Sequence, residues 1–408
     1  MILLEFIKKA KLPILLLAIL VLPLILGSYV PEEVKSISYA LSLSMKSILE
    51  FLLPFIIFSF IFSCLSNFQK GAIFFVLLLV GCVFVSNLTA LTYGYMAGKT
   101  GLGLINFKQS AISKSAELIP AWNFTLNKLI TNDRALMVGF ITGIFFSIVP
   151  SKGALKVGAV LNMLANGFLK KIFIPLLPLF ILGFVFKLEH EDILHTSLKV
   201  YGPIILIIIF SQWLYILSWY MIGSRFSIKQ FFFYLKNVLP ASLTGLSTIS
   251  SAASMPILLV STEKNLKDSE KAKMIVPAII NIHTLGSAIA IPILALATLK
   301  TFGLPLPSFS TFIIFALYTA LAKYAVAAVP GGVVIVVAPI LEAHLGFSSD
   351  MVGLITAVYM ICDPFGTTAN VTANGAFPIL FSRFYETANR AKNNLFGIGK
   401  SEPMTQSD

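Results

Sequence analysis

Long apolar runs alternate with short charged segments along most of this chain. The first half contains apolar runs at residues 12–27, 37–65, 73–97, 135–149, 160–186 and 198–222. A helix of about 20 apolar residues is long enough to cross the hydrocarbon core of a bilayer. The pattern therefore predicts several spanning helices, and the less apolar stretch 98–132 is either a long external excursion or a broken helix.

The second half differs because small and polar residues interrupt its apolar segments. Segment 231–261 contains a serine-rich stretch, 247–256, that ends in a proline. Segment 309–347 is broken by Val329-Pro330-Gly331-Gly332. Such stretches make poor spanning helices and good hairpin tips, because their free backbone groups need a cavity or a ligand. Each segment is therefore predicted to form a re-entrant helical hairpin.

A predicted helix follows each hairpin. Residues 274–299 form the first, which carries Asn281 and His283, and residues 359–377 lie in the second. Hydrophobic segments that are interrupted in corresponding places indicate a secondary transporter built on inverted repeats, with its site near mid-membrane.

The segment 359–377 is unusually polar for a membrane helix. Asp363, Thr367, Asn370 and Asn374 follow an i, i+4, i+7, i+11 spacing, which places them on one helical face. Unpaired polar groups in hydrocarbon are costly, so this face must contact protein or a water-filled cavity. We interpret it as a ligand or ion site, and a polar seam that holds helices together is the alternative.

Composition supports a membrane class and excludes others. The chain is 57% hydrophobic and 12% charged, with a mean hydropathy of +0.90. Its net charge of +12 comes mostly from basic residues between apolar runs, where they set topology, so nucleic acid is excluded as a partner. Cys64, Cys82 and Cys362 lie inside apolar segments without metal-type spacing, which argues against a disulfide framework or a zinc site.

Flanking charges predict that both termini are cytoplasmic. Lys8, Lys9 and Lys11 precede the first run, and more basic residues lie within 383–400. A cleaved signal peptide is the competing interpretation of the first run, but no small-residue cleavage site precedes the second. The compact loops favour a bacterial inner membrane.

Motifs on these segments together resemble the dicarboxylate/amino acid:cation symporters, also called the glutamate transporter family. The first tip, Ser250-Ser251-Ala252-Ala253-Ser254-Met255-Pro256, is similar to the family's SSSGTLP, and residues 329–332 are similar to its VPGAG. Asn281-Ile282-His283-Thr284-Leu285 resembles NMDGT. The family pattern D-x-x-R-T-x-x-N-V-x-G-D is matched by Asp363, Gly366, Thr367, Asn370, Val371, Ala373 and Asn374.

The resemblance implies an all-α homotrimer with eight transmembrane helices and two re-entrant hairpins, working as an elevator-type transporter. Scaffold helices one and two would lie in 1–70, and helices four and five in 99–190. The mobile transport domain would contain helix three in 71–98, helix six in 191–230, and a core in 231–385 with both hairpins and helices seven and eight. Residues 386–408 would form a cytoplasmic tail.

The resemblance also assigns site residues, with Asp363 pairing with a substrate amino group and the second tip acting as the gate. The implied substrate-binding residues are Ser250, Ser251, Ala252, Val329, Pro330, Gly331, Asp363, Gly366, Thr367 and Asn370. The implied cation- or proton-coupling residues are Ser86, Asn87, Asn281, His283, Asn370 and Asn374. No cofactor is expected beyond the coupling ion.

Departures from the family pattern shape the functional hypothesis. Gly366 stands where members that carry acidic substrates have an arginine, and no other basic residue falls on that face, although a lysine from elsewhere could compensate. The first tip looks closer to the serine/threonine branch. We therefore expect a secondary transporter that imports neutral or small amino acids by cation-coupled symport. A sodium-coupled dicarboxylate or acidic amino acid symporter, an uncoupled exchanger, a channel-like protein and a receptor are the alternatives.

The coupling ion is a separate question, because His283 and Asn374 replace the family's two coupling aspartates. One mechanism has His283 titrating as a proton carrier, and it predicts that His283→Asn abolishes pH dependence. The other has a neutral, hydrogen-bonded His283 and a residual sodium site or exchange. An intramembrane hydrolase is disfavoured, since neither HExxH nor GxSxG occurs in the sequence.

Overall fold

The computed structural model describes residues 18–19, 22–23, 25–66, 73–105, 117–127, 129–149, 151–191, 193–326 and 331–395. Those residues form helices and irregular connections, and no strand occurs among them, as the sequence predicts. Most of the first predicted span lies outside the described residues, as do Val329, Pro330 and residues 396–408.

The first half of the chain forms a series of long helices. They are α1 (Glu32–Ser66), α2 (Ile73–Gly101), α3 (Asn132–Ile148), α4 (Lys152–Phe168), α5 (Ile174–His190) and α6 (Ile193–Gly223). The predicted apolar run 160–186 spans α4, a π-helical turn at Leu169–Phe173 and α5. The segments Lys152–Phe173 and Pro178–His190 are bent by 55° relative to each other. Prolines at the start of α5 and at Pro178 lack the N–H that an unbroken helix needs there.

The second half contains the two predicted interruptions. Its helices are α7 (Ile228–Thr248), α8 (Ser251–Leu266), α9 (Ser269–Ile279), α10 (Leu285–Thr301), α11 (Phe309–Ala322), α12 (Gly332–Leu345) and α13 (Ser349–Leu395). Helices α7 and α8 pack against each other, as do α11 and α12. The prediction of one helix over 274–299 is wrong, because residues 280–284 separate α9 from α10.

Several described helices have the length and composition of membrane spans. Leu77–Gly101, Tyr201–Gly223 and Ser349–Ala391 qualify singly, and two bent pairs bring the total among the described residues to five. Shorter apolar helices include α10, α11 and α12. These features fit a polytopic membrane protein, while the count of eight spans stays a prediction.

The described part of stretch 98–132 is irregular after α2 ends and runs along α1. The Trp122 indole nitrogen donates to Ser44 Oγ at 2.9 Å, and the Leu126 amide donates to Ser47 Oγ at 2.6 Å. The serines of α1 thus anchor the non-helical residues 117–127, and residues 106–116 of the same stretch lie outside the described residues.

Helix α10 lies at the centre of the described structure. Its residues Leu285–Leu299 are all buried, which is the pattern of a helix enclosed on every side. It packs against α2, α6 and α13, while α7 and α8 pack against α13. Helices α3, α4 and α5 pack instead against α1. The polar face of α13 therefore points towards the start of α10 rather than towards lipid.

Candidate functional site

The break between α9 and α10 leaves backbone groups without helical partners, and side chains from other helices satisfy them. Asn87 on α2 is fully buried and donates its Nδ2 to the Ile282 carbonyl at 2.8 Å. Its Oδ1 accepts from the Thr284 amide at 3.3 Å. One asparagine thus binds the chain on both sides of His283, which fixes the shape of the break.

Asn370 caps the start of α10. Its Oδ1 accepts from the Gly286 amide at 2.8 Å and from the Ser287 amide at 3.4 Å. The close approach of α13 requires glycine at 286, because a Cβ there would lie 2.3 Å from the Gly366 carbonyl oxygen. Gln212 on α6 donates to the Gly286 carbonyl at 2.9 Å. The cap therefore depends on two neighbouring helices.

His283 is fully buried within the break, and both of its ring nitrogens have partners. Nδ1 lies 2.6 Å from Asn374 Oδ1, and Nε2 lies 2.8 Å from Ser86 Oγ. With the Asn374 oxygen facing the ring, Nδ1 carries a proton, and Nε2 then accepts from the Ser86 hydroxyl. A neutral imidazole therefore satisfies both ring nitrogens, while Asn374 Nδ2 has no hydrogen-bond partner among the described residues.

A small open cavity lies between the two hairpins, the break and α13. It is lined by Ile249, Ser251, Ile280, Asn281, Thr284, Val326, Gly332, Val333, Tyr359, Asp363, Thr367 and Asn370. Among the described residues, its wall carries one carboxylate, several hydroxyl and amide groups, and no basic side chain. The first turns of α8 and α12 also contribute, so the positive ends of two helix dipoles face the space.

Asp363 is the charged group of this cavity. Its Oδ2 accepts from the Gly331 amide at 2.9 Å, which ties α13 to the tip of the second hairpin. Gly331 has φ of 70°, a left-handed conformation that glycine adopts without strain. Tyr359, one turn earlier on α13, lines the cavity beside Asp363. Among the described residues no lysine, arginine or histidine forms an ion pair with Asp363.

Lys323 is a functional candidate that the sequence analysis missed. It follows α11 in the second hairpin, is fully buried, and donates from Nζ to Thr284 O, Thr284 Oγ1 and Ser287 Oγ at 3.1, 2.8 and 2.7 Å. A lysine inside an apolar run was the available signal, because charged groups within membrane segments are mostly functional.

The structure brings six of the fifteen predicted site residues together at the cavity. Ser251, Asn281, Asp363, Thr367 and Asn370 line the cavity, and Gly331 contacts it through Asp363.

Other predicted residues occupy the surroundings of the cavity. Ser250 caps α8 by accepting from the Ala253 amide at 3.3 Å, and Ala252 is exposed. Gly366 lies beside the cavity, with no atom within 4 Å of a Cβ placed there. Ser86, Asn87, His283 and Asn374 form a separate buried network, and Val329 and Pro330 lie outside the described residues.

We predict that Asn370→Leu destabilises the protein because it leaves two buried amides at the start of α10 without an acceptor. The expected cost is about 1–3 kcal/mol for each amide. The matched control is Thr368→Val on the same helix. The Thr368 hydroxyl donates only to the carbonyl of Pro364, one turn earlier in α13. Thermal unfolding in detergent is the measurement, and equal losses in the two variants would contradict the capping role.

Comparison with known proteins agrees with this geometry. The pattern of the sodium:dicarboxylate symporter family matches residues 12–384. The chain is 23% identical over 380 residues to the serine/threonine transporter SstT of Enterococcus faecalis, covering 87% of this chain and 88% of that protein. It is 24% identical over 207 residues to SstT of Acinetobacter baylyi, covering 50% and 51% of the two chains. A match of this extent, on a chain with this cavity between paired hairpins, shows that the protein belongs to the sodium:dicarboxylate symporter family.

Proposed function

We propose that this transporter imports small neutral amino acids, with serine and threonine as the first candidates, by cation-coupled symport. The single observation that carries the proposal is that the described residues of the cavity wall include one carboxylate and no basic side chain. A substrate ammonium finds a counter-ion in Asp363, whereas a second substrate carboxylate would enter a wall without a cationic partner.

The ends of a bound amino acid have distinct places in this cavity. Its ammonium pairs with Asp363, which otherwise holds the second hairpin tip through Gly331. Its carboxylate is attracted to the N-terminus of α8, where Ser250 and Ser251 begin the helix. A short side chain with a hydroxyl then faces Thr367 and Asn370, which also line the cavity.

Relatives and packing support the finer parts of this proposal. Two relatives that match this chain are named serine/threonine transporters. Helices α3 to α5 pack on α1, whereas α10 packs with α2, α6 and α13, a grouping that suits a scaffold and a mobile transport domain. We include in the proposal the homotrimer, the elevator motion, the inverted repeats and the cytoplasmic termini.

Proton coupling through His283 is not part of the proposal. Its two ring nitrogens are occupied by Asn374 and Ser86, and it does not line the cavity. A proton carrier needs a route to water and a change of partners. We propose instead that His283 positions the break, and the gradient that drives uptake is decided by the experiment below.

The deciding test is uptake of labelled serine, threonine, alanine, aspartate and glutamate into liposomes under an imposed sodium or pH gradient. We predict that Asp363→Asn lowers serine uptake roughly 30-fold or more, because the ammonium loses a buried counter-ion. Glu386→Gln, an exposed substitution on the same helix, is the control and should retain uptake. Preferred uptake of aspartate by the unmodified protein would refute the substrate assignment.

We predict that Gly366→Arg shifts selectivity towards aspartate and glutamate, by roughly tenfold in the ratio of acidic to neutral uptake. The arginine adds the missing cation, and the backbone at 366 has open space around a new Cβ. Gly366→Met adds similar length without charge and is the control. The same ratio in both variants would mean that position 366 does not face the substrate.

We predict that His283→Asn slows uptake without changing the shape of its pH profile, because the native imidazole is held neutral between two partners. The measurement is the initial rate of serine uptake from pH 5 to 8 under a constant sodium gradient. Loss of a titration step in the variant would restore the proton-carrier mechanism.

A further inference from the structure

The second hairpin carries its own cation into the region beside the substrate cavity. Lys323 is fully buried, and its Nζ contacts three oxygens: Thr284 O, Thr284 Oγ1 and Ser287 Oγ. An ammonium group has three N–H donors and no acceptor, so three oxygens match its bonding capacity. The distances, 2.7 to 3.1 Å, are those of ordinary hydrogen bonds from nitrogen.

The surroundings of Lys323 provide no direct ion-pair partner. No Asp or Glu among the described residues lies within 4.0 Å of its nitrogen, in contrast to Lys187, which pairs with Asp350 at 2.9 Å. A buried lysine that is held only by neutral oxygens is costly in a membrane interior. A group of hydroxyl and carbonyl oxygens without a carboxylate is also the kind of site that a monovalent cation occupies.

The contacts of Lys323 extend to the wall of the cavity. Ser287 accepts from the lysine nitrogen. Thr284, which supplies the other two oxygens, lines the cavity itself, as does Asp363. The ammonium is therefore separated by one side chain from the cavity that holds the candidate substrate-binding carboxylate.

Both arms of the second hairpin are attached to this site. Lys323 follows its first helix, and Gly331, which donates to Asp363, precedes its second helix. An inorganic cation could leave these oxygens, whereas the lysine cannot diffuse away from them. The second hairpin thus holds a positive charge at the break.

We propose that the Lys323 ammonium is a tethered cation that fills an oxygen site formed by Thr284 and Ser287, in place of a bound monovalent metal ion. The proposal extends the proposed function and rests on it for the meaning of the cavity. Its direct consequence is that removal of the lysine side chain, with the oxygens left in place, creates a site for sodium.

The test measures sodium binding without any substrate, so it can fail separately from the uptake assay. Thermal unfolding of the full-length protein in detergent is followed in increasing NaCl, with choline chloride holding ionic strength constant. Lys323→Ser is expected to gain a saturable, sodium-dependent rise of several degrees, because a ligand that binds only the folded state stabilises it. Lys323→Met fills the volume without charge or oxygen and should gain none.

Sodium bound elsewhere would stabilise both variants equally, so the difference between them is the result that counts. Adding Ser287→Ala to Lys323→Ser should weaken the sodium effect by removing one oxygen. If Lys323→Ser is recovered folded only when it is purified in NaCl, that result also supports the proposal, as a sodium-dependent increase in its unfolding temperature does. The proposal is overturned if Lys323→Ser and Lys323→Met respond equally to sodium. It is also overturned if Lys323→Ser is unfolded in both NaCl and choline chloride while Lys323→Met is folded.

Discussion

The structure depends on one constraint, which is that a broken helix inside a membrane protein must find partners for its free peptide groups. The break at residues 280–284 receives them from helices far apart in the sequence. Asn87 on α2 binds both sides of His283, and Asn370 on α13 accepts from the first amides of α10. Gln212 on α6 and Lys323 in the second hairpin bind carbonyls of the same region. Most of the buried polar side chains near α10 are explained by this requirement.

The same requirement separates structural polarity from polarity that is free for a ligand. His283 and Asn374 bind each other, and Asn87 is used on both its amide atoms. Asp363 differs, because the partner that the structure gives it among the described residues is the uncharged Gly331 amide. A carboxylate in a cavity with neutral partners is the group best able to bind an ammonium ion from outside. This contrast is why the substrate assignment rests on Asp363 rather than on the more numerous asparagines.

Features that depend on residues close together in the sequence could be predicted, whereas features that depend on contacts between distant segments could not. The polar face of α13 and the interruptions within segments 231–261 and 309–347 were predicted from the sequence, because residue spacing and helix-breaking residues act within a few turns. The re-entrant course of the two helix pairs stays a prediction. The break after Ile279 was not predicted, because it is stabilised by Asn87 and Asn370, whose contacts with it are known only from the fold. The role of Lys323 was missed for the same reason, since its partners lie on another segment of the chain.

The departures from the family pattern and the buried lysine change the charge of this region in the same direction, towards positive. By resemblance, His283 and Asn374 stand where the family has aspartates, so the region has lost two negative charges, while Lys323 supplies a positive one. A site with two carboxylates attracts free cations, whereas one with neutral oxygens and a tethered ammonium has little electrostatic need for them. Restoring an acid at 374 alone would place a carboxylate beside His283, in the same buried region as Lys323, and would favour a charged imidazole there. The identities of residues 283, 323 and 374 are therefore coupled, and substitutions at any one of them should be interpreted together with the other two.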